Sequence, residues 1–161
     1  IVEQGFDAGV RFGHQLAQDM IAMPIGPALR YAIVASPDYL RKNGHPDTPN
    51  DLLGHDCIRR RFPNGTMVKW KFEKDDHEVE ITPQGQLTLS SAHQERQAAI
   101  AGSGIAHLFE DYVRDDIEQG SVIEVLSDWK KKLPSWYLYY PSRRHTSAAM
   151  RAFLEFTRNR K

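Results

Sequence analysis

Hydrophobic and polar positions along the chain follow two periods in turn. Short apolar or alternating runs suited to strands are interleaved with segments that repeat every three to four residues. Asp7 to Phe12, "DAGVRF", reads as a short strand ended by Gly13. Leu29 to Ser36, "LRYAIVAS", is mostly apolar and β-prone, the pattern of a strand buried on both faces. Ser36-Pro37 then opens a helix, with serine suited to the N-cap and proline to the first turn, and Gly44 ends it. Thr48-Pro49-Asn50-Asp51 predicts a second short helix, in which Asp51 completes a capping box. Three strands are expected next, "CIRRRF", "VKWKFEK" and "HEVEITP", the last two joined across Lys74-Asp75-Asp76. "QLTL" is another, and it runs directly into Ser90-Ser91.

From Ser91 the pattern is helical to about Ala101, and Ser91 with Gln94 makes a further capping box. "GIAHLF" reads as a strand, "EDYVRDDIEQG" as a helix stopped by Gly120, "SVIEVL" as a strand, and Ser135 to Pro141, "SWYLYYP", as an aromatic strand. The last helix, from about Thr146, puts Ala149, Met150, Phe153, Leu154 and Thr157 on one face. Strands alternating with helices predict an α/β class with a largely parallel sheet, plus a meander around residues 56 to 82.

The triplet Gly102-Ser103-Gly104 poses the question of a phosphate cradle. Such a cradle needs a strand, then the glycine turn, then a helix whose first amides face the anion. Here the order is helix, glycines, strand, and His107 stands where a third fingerprint glycine belongs. Gly102 therefore reads as a left-handed helix C-cap, with Gly104 easing entry into the strand. The end of that helix suited to a ligand is the other one. At Ser90-Ser91 a strand-to-helix turn gathers backbone amides and two hydroxyls at a strand's carboxyl end, where open α/β sheets bind ligands. Capping alone also accounts for Ser91, and His107 also reads as a satisfied core histidine.

Composition narrows the function classes. Hydrophobic content of 40% and charged content of 26% in 161 residues are those of a globular chain. The 21 Lys+Arg and 21 Asp+Glu cancel, so no global basic field holds nucleic acid. One cysteine, Cys57, excludes an internal disulfide and favours a reducing compartment, hence a cytoplasmic location. No apolar run approaches the ~18 to 20 residues of a membrane span. No signal peptide opens the chain, which starts at Ile1 and reads as a piece of a longer protein. Neither His-x-x-x-His nor Cys-x-x-Cys occurs, and no metal or cofactor is expected. Cys57 opens a strand with no evident base beside it and reads as an inert thiol. There is no Gly-x-Ser-x-Gly elbow, and the adjacent pairs Glu110-Asp111 and Asp115-Asp116 point apart on a helix. Nothing demands catalysis.

An ordered set of motifs carries a family resemblance. Glu3 to Gly13 ("EQGFDAGVRFG") opens it. Next come Leu29-Arg30, Ser36-Pro37-Asp38-Tyr39-Leu40, Gly44, Pro46, Pro49, Asp51-Leu52 and His55-Asp56-Cys57-Ile58. "QAAIAGSGIAHL" and "LYYPSRR" complete it. Across essentially its whole length the chain resembles the effector-binding domain of LysR-type transcriptional regulators. The resemblance implies an α/β, periplasmic-binding-protein-like fold of two lobes joined by two crossover strands, with the first lobe incomplete. On that basis residues 1–35 and 139–161 are expected to form the partial first lobe and 36–138 the second. A winged-helix DNA-binding domain is expected upstream.

Carried over by position, the second-lobe wall of an effector site is expected at Ser90, Ser91, Ala92 and His93, and at His107 and Phe109. The first-lobe wall is expected at Arg11, Phe12 and Gly13, and Arg61 and Phe62 are a further candidate pair. Relatives often carry acidic residues where Ser91 and His93 stand, a proline where Phe109 stands, and apolar residues where Gln94 and Arg96 stand. The implied function is sensing a small molecule, a carboxylate or polar aromatic compound, in a homodimer or tetramer that meets promoter DNA through the winged helix. A solute-binding protein or a small α/β enzyme on the same fold is the alternative.

Overall fold

A computed structural model of the chain describes residues 6–12, 20–142 and 147–158. Gly13 and Thr146 lie outside the described residues. The chain divides into two compact units, Arg30–Lys131 and the combination of Ile1–Leu29 with Lys132–Lys161.

In the larger unit, β3 (Leu29–Ala35) is flanked on its two edges by β8 (Ala106–Phe109) and β9 (Ile123–Val125), both antiparallel to it. Residues 57–61, including β4 (Arg59–Arg60), lie between the start of β8 and the segment 84–89 that ends in β7 (Thr88–Leu89). Ile58 N–H donates to Ile105 O at 2.8 Å and Arg59 N–H to Leu87 O at 2.9 Å, so this half of the sheet is parallel. The expected largely parallel sheet is therefore corrected to a mixed one. Helix α3 (Glu110–Glu118) does connect β8 and β9 as strands of one direction. β3 is inserted between them running the other way, and element order alone carries no sign of that insertion.

Alternation along β3 and β8 sends side chains to two cores. Ala32, Val34, Ala106 and Leu108 pack with Ala99 of α2 (Ala92–Ile100) and Val113 of α3. Ile33 and Ile105 face Tyr39 and Leu40 of α1 (Pro37–Asn43), Leu52 of a 3-10 helix (Pro49–Gly54), and Trp70 and Phe72. Those last two belong to the hairpin of β5 (Trp70–Lys74) and β6 (His77–Ile81). Its turn holds Asp75 and Asp76 at φ 48° and 63°, the left-handed pair that matches the twist of a two-residue hairpin. Ser36 caps α1 as expected, accepting from Tyr39 N–H at 3.2 Å. At Thr48 the expected box forms, with Asp51 accepting from Thr48 N–H at 2.8 Å, although the helix it opens is 3-10.

Gly102 has φ 78°, the left-handed helix end the sequence predicts. Gly104 does more than ease a strand entry. A Cβ there meets Asp56 O at 2.2 Å, so the close approach of residues 56–57 to the start of β8 requires glycine.

The smaller unit is a three-stranded antiparallel sheet in the order β1 (Gly9–Phe12), β11 (Trp136–Pro141), β2 (Met20–Ile25). A two-residue strand β10 (Lys132–Leu133) precedes β11. Leu138, Tyr140 and Leu154 of α4 (Ala148–Arg158) form the core, with Met23, Ile25 and Met150 against it. The expected five-residue face of α4 is narrower than its periodicity suggests. Leu154 is buried and Met150 half-buried, but Ala149 and Phe153 are exposed.

Candidate functional site

β4 and β7 run parallel, with Arg60 opposite Leu89, and both end at the same edge. Arg61 N–H donates to Leu89 O at 2.9 Å and extends the pairing by one step. Beyond it one chain turns back through Phe62 to Thr66, closed by Phe62 N–H to Thr66 O at 2.9 Å. The other passes through Ser90 and Ser91 into α2. Between them opens a cleft of about 330 Å³. Arg61, Phe62 and Pro63 form one wall, Thr88, Leu89 and Ser90 the other, and Gln94 reaches in from α2. This is the carboxyl-end crevice of parallel strands, where ligands of α/β sheets lie.

Ser91 occupies the N-cap of α2 with extended backbone, φ −129° and ψ 130°, but its hydroxyl makes no capping hydrogen bond. The expected box with Gln94 is thus absent, and Gln94 lines the cleft. Helix α2 begins without spending its serine side chain. Ala92 packs on the core beneath, and His93 is exposed. Of the expected residues, the structure brings Ser90 and Phe62 together in this cleft, along with Arg61.

His107 and Phe109 lie elsewhere, inside an aromatic stack. Tyr31 stacks on His107 at 3.9 Å and on Phe109 at 4.6 Å, and Trp70 also stacks with His107 at 5.2 Å. His107 is buried as a core histidine is, but its Nε2 has no hydrogen-bond partner among the described residues. Burial, with the charge of Arg60 nearby, pushes its pKa down to about 3, so the ring is neutral. A space of about 10 Å³ beside it is large enough for about one water.

Two ion pairs anchor α2 under the cleft. Arg60 donates through Nε and Nη2 to the carboxylate of Glu95, whose side chain is 2% exposed, with Nη2 to Oε2 at 2.8 Å. Burial raises the pKa of Glu95, and the Arg60 guanidinium opposes that rise. Arg96 pairs in the same two-pronged way with buried Asp116 of α3, with Nη2 to Oδ1 at 2.6 Å. Arg96 in a usually apolar position is explained by that partner. Cys57 is 1% exposed, and burial pushes its thiol up to about 12, which removes it as a nucleophile.

In the smaller unit, Arg11 and Phe12 end β1 opposite Tyr137 and Trp136, and Arg11 is exposed. A hollow of about 460 Å³ lies along β2, where Arg158 brings the one charged side chain among the described lining residues. It lacks the convergent polar groups of the cleft at β4 and β7. Among the described residues no three His, Cys, Asp or Glu side chains are placed to hold a metal ion. No described helix is long and apolar enough to cross a membrane.

Residues 1–161 match the family model described as the LysR substrate binding domain. The chain belongs to that family. An uncharacterized HTH-type transcriptional regulator of Escherichia coli, YcaN, is 37% identical over 158 residues, which is 98% of this chain and 51% of that protein. A putative transcriptional regulator of Pseudomonas aeruginosa is 43% identical over 150 residues, 92% of this chain and 49% of its own length. The full-length structure of the Vibrio cholerae virulence activator AphB, a member of the LTTR family, superposes with a TM-score of 0.83 at 28% identity. That match covers 96% of this chain and 51% of AphB. The substrate-binding domain described here thus spans about half the length of the curated relatives it matches, and it has the mixed α/β, periplasmic-binding-protein-like fold of LysR regulatory domains.

The sequence pattern missed Thr88, Leu89, Pro63 and Gln94 as cleft residues. Their common signal is position after or within two strands that end side by side, and that needs the strand pairing rather than the residue types.

Proposed function

We propose that this domain is the effector-sensing part of a cytoplasmic LysR-type transcriptional regulator, and that its effector is a small carboxylate with an apolar or aromatic body. The observation that carries the reading is the cleft at the ends of β4 and β7. Arg61 lines it with no ion pair among the described residues, its Nε donating only to Met67 Sδ at 3.5 Å, and Ser90 and Thr88 bring hydroxyls. Gln94 adds an amide, and Phe62 and Leu89 add apolar surface. A guanidinium with adjacent hydroxyls suits a carboxylate, and the ring suits the rest of the molecule. His93, Ser91 and the residues Arg11, Phe12 and Gly13 enter the proposal on the family resemblance alone, as do His107 and Phe109. So do two lobes around the effector, assembly into a homodimer or tetramer, and DNA binding through a winged helix. Effector binding acts on transcription by favouring one arrangement of the whole protein, by no more than its differential affinity for the two.

A thermal-shift screen of aromatic carboxylates against their uncharged amides tests the reading. A carboxylate at a hundred times its Kd stabilises by about 2.7 kcal/mol, which raises the midpoint by roughly 5 to 10 °C for a chain of this size. The shift is expected to vanish in Arg61→Ala and to shrink in Ser90→Ala. Equal shifts by acids and amides, or an undiminished shift in Arg61→Ala, would remove the carboxylate from the proposal.

A further inference from the structure

We propose that the Arg60–Glu95 pair, with Arg60 half-buried and Glu95 buried, is the positioning element of this cleft, holding its two walls at a fixed separation. The inference rests on reading the cleft as the effector site, and four observations carry it. First, Arg60 immediately precedes Arg61 and Phe62 on one wall, while Glu95 immediately follows Gln94 on the helix that supports the other. Second, the pairing is two-pronged, and a planar guanidinium fork fixes orientation as well as distance. Third, backbone pairing holds residues 59–61, through Arg59 N–H to Leu87 O, Arg61 N–H to Leu89 O and Val68 N–H to Arg60 O. The turn from Phe62 to Thr66 beyond them is exposed and bonded only within itself, so Arg60–Glu95 is the side-chain tie from this wall to α2. Fourth, Glu95 is buried, and a buried carboxylate in an ion pair gains little net stability over an apolar residue of similar volume, so a geometric role fits the pair better than a stabilising one. What the pair supplies is geometry.

The neighbouring pair is the natural control. Arg96–Asp116 is built alike but ties α2 to α3, away from the cleft. If any buried pair merely stiffened α2, removing either would have the same effect on the cleft. If Arg60–Glu95 positions the walls, only its removal changes their separation.

Cleft separation can be read without any ligand, so failure here is distinguishable from failure of the carboxylate screen. Nitroxide labels at Pro63→Cys and Gln94→Cys report the two walls, and buried Cys57 stays unlabelled in the folded chain. In the otherwise unchanged chain the inter-label distances are expected to be narrowly spread. In Arg60→Met/Glu95→Leu the spread is expected to at least double, with the thermal midpoint retained and the far-UV circular dichroism unchanged. Arg60→Lys, which keeps the charge but loses the fork, is expected to fall between. Arg96→Met/Asp116→Leu is expected to leave the spread as it was. An unchanged spread in the folded Arg60→Met/Glu95→Leu chain overturns the proposal, and so does equal broadening in the control. Glu95→Gln serves as the folded variant should the double apolar replacement not fold, with the same two outcomes.

Discussion

At the scale of single residues, the most informative is His107. A histidine amid Tyr31, Trp70 and Phe72 with a buried unpartnered nitrogen is a local loss of stability within an otherwise apolar core. Its pKa falls from 6.5 to about 3 on folding, so the unfolded chain binds a proton there that the folded chain does not. Stability attributable to the neutral ring is therefore whole above pH 6.5 and is lost as pH falls toward 3, at up to about 1.4 kcal/mol for each unit. His107→Phe removes both the orphan nitrogen and the titration while keeping an aromatic ring. It is expected to be as stable as the parent or more so by about 1 kcal/mol at pH 7. Its advantage should grow as pH drops from 6.5 to 4.5, as denaturant unfolding at several pH values will show. An advantage that stays constant over that range would mean the ring is protonated in the folded state. The sequence suggested a core histidine here, and the core was right. Its missing partner was illegible, because hydrogen bonding depends on what the hairpin β5–β6 brings across.

At the scale of elements, two serines head helices and do different things. Ser36 is buried and its hydroxyl accepts from Tyr39 N–H, so Ser36→Ala is expected to cost about 1 to 2 kcal/mol. Ser91 makes no capping bond, and Ser91→Ala is expected to cost less than about 0.5 kcal/mol, measured by urea unfolding. A cost at Ser91 as large as that at Ser36 would show its hydroxyl to be structural after all. The same elements mark what sequence can and cannot carry. Helix starts at Ser36 and Ser91, the hairpin turn at Asp75-Asp76 and the glycine stop at Gly102 were all legible, since each rests on neighbours within four residues. β2 was missed because Pro24 and two methionines look unlike a strand. It is tolerated because β2 lies at the edge of its described sheet, where a missing N–H costs no ladder bond. The mixed sheet was missed for a longer-range reason: β3 is inserted between strands that follow it by more than seventy residues. At the candidate site, Ser90 was legible from the strand-to-helix rule, whereas nothing in the local pattern marks Glu95, whose partner Arg60 lies 35 residues away on β4.

At the scale of the whole molecule, the two units differ in how much core they own. Arg30–Lys131 has apolar layers on both faces of β3 and β8. Among its described residues the other unit has one, built on Leu138, Tyr140 and Leu154. Local opening follows buried apolar content, so amides of β11 are expected to exchange at least about tenfold faster than those of β3 and β8. Hydrogen exchange read by mass spectrometry or NMR checks this, and equal protection would mean that the chain opens only as one cooperative body. The exposed turn from Phe62 to Thr66 has a different consequence. It carries one wall of the cleft yet contributes nothing to either core, while the opposite wall is rooted in the helix that Glu95 holds. On the proposed reading of the cleft, selectivity and stability reside in separate residues. If the cleft takes a carboxylate as proposed, exchanging Phe62 and Pro63 for other shapes is expected to retune the domain toward new acids, as a biosensor designer would want, while the rest of it folds as before.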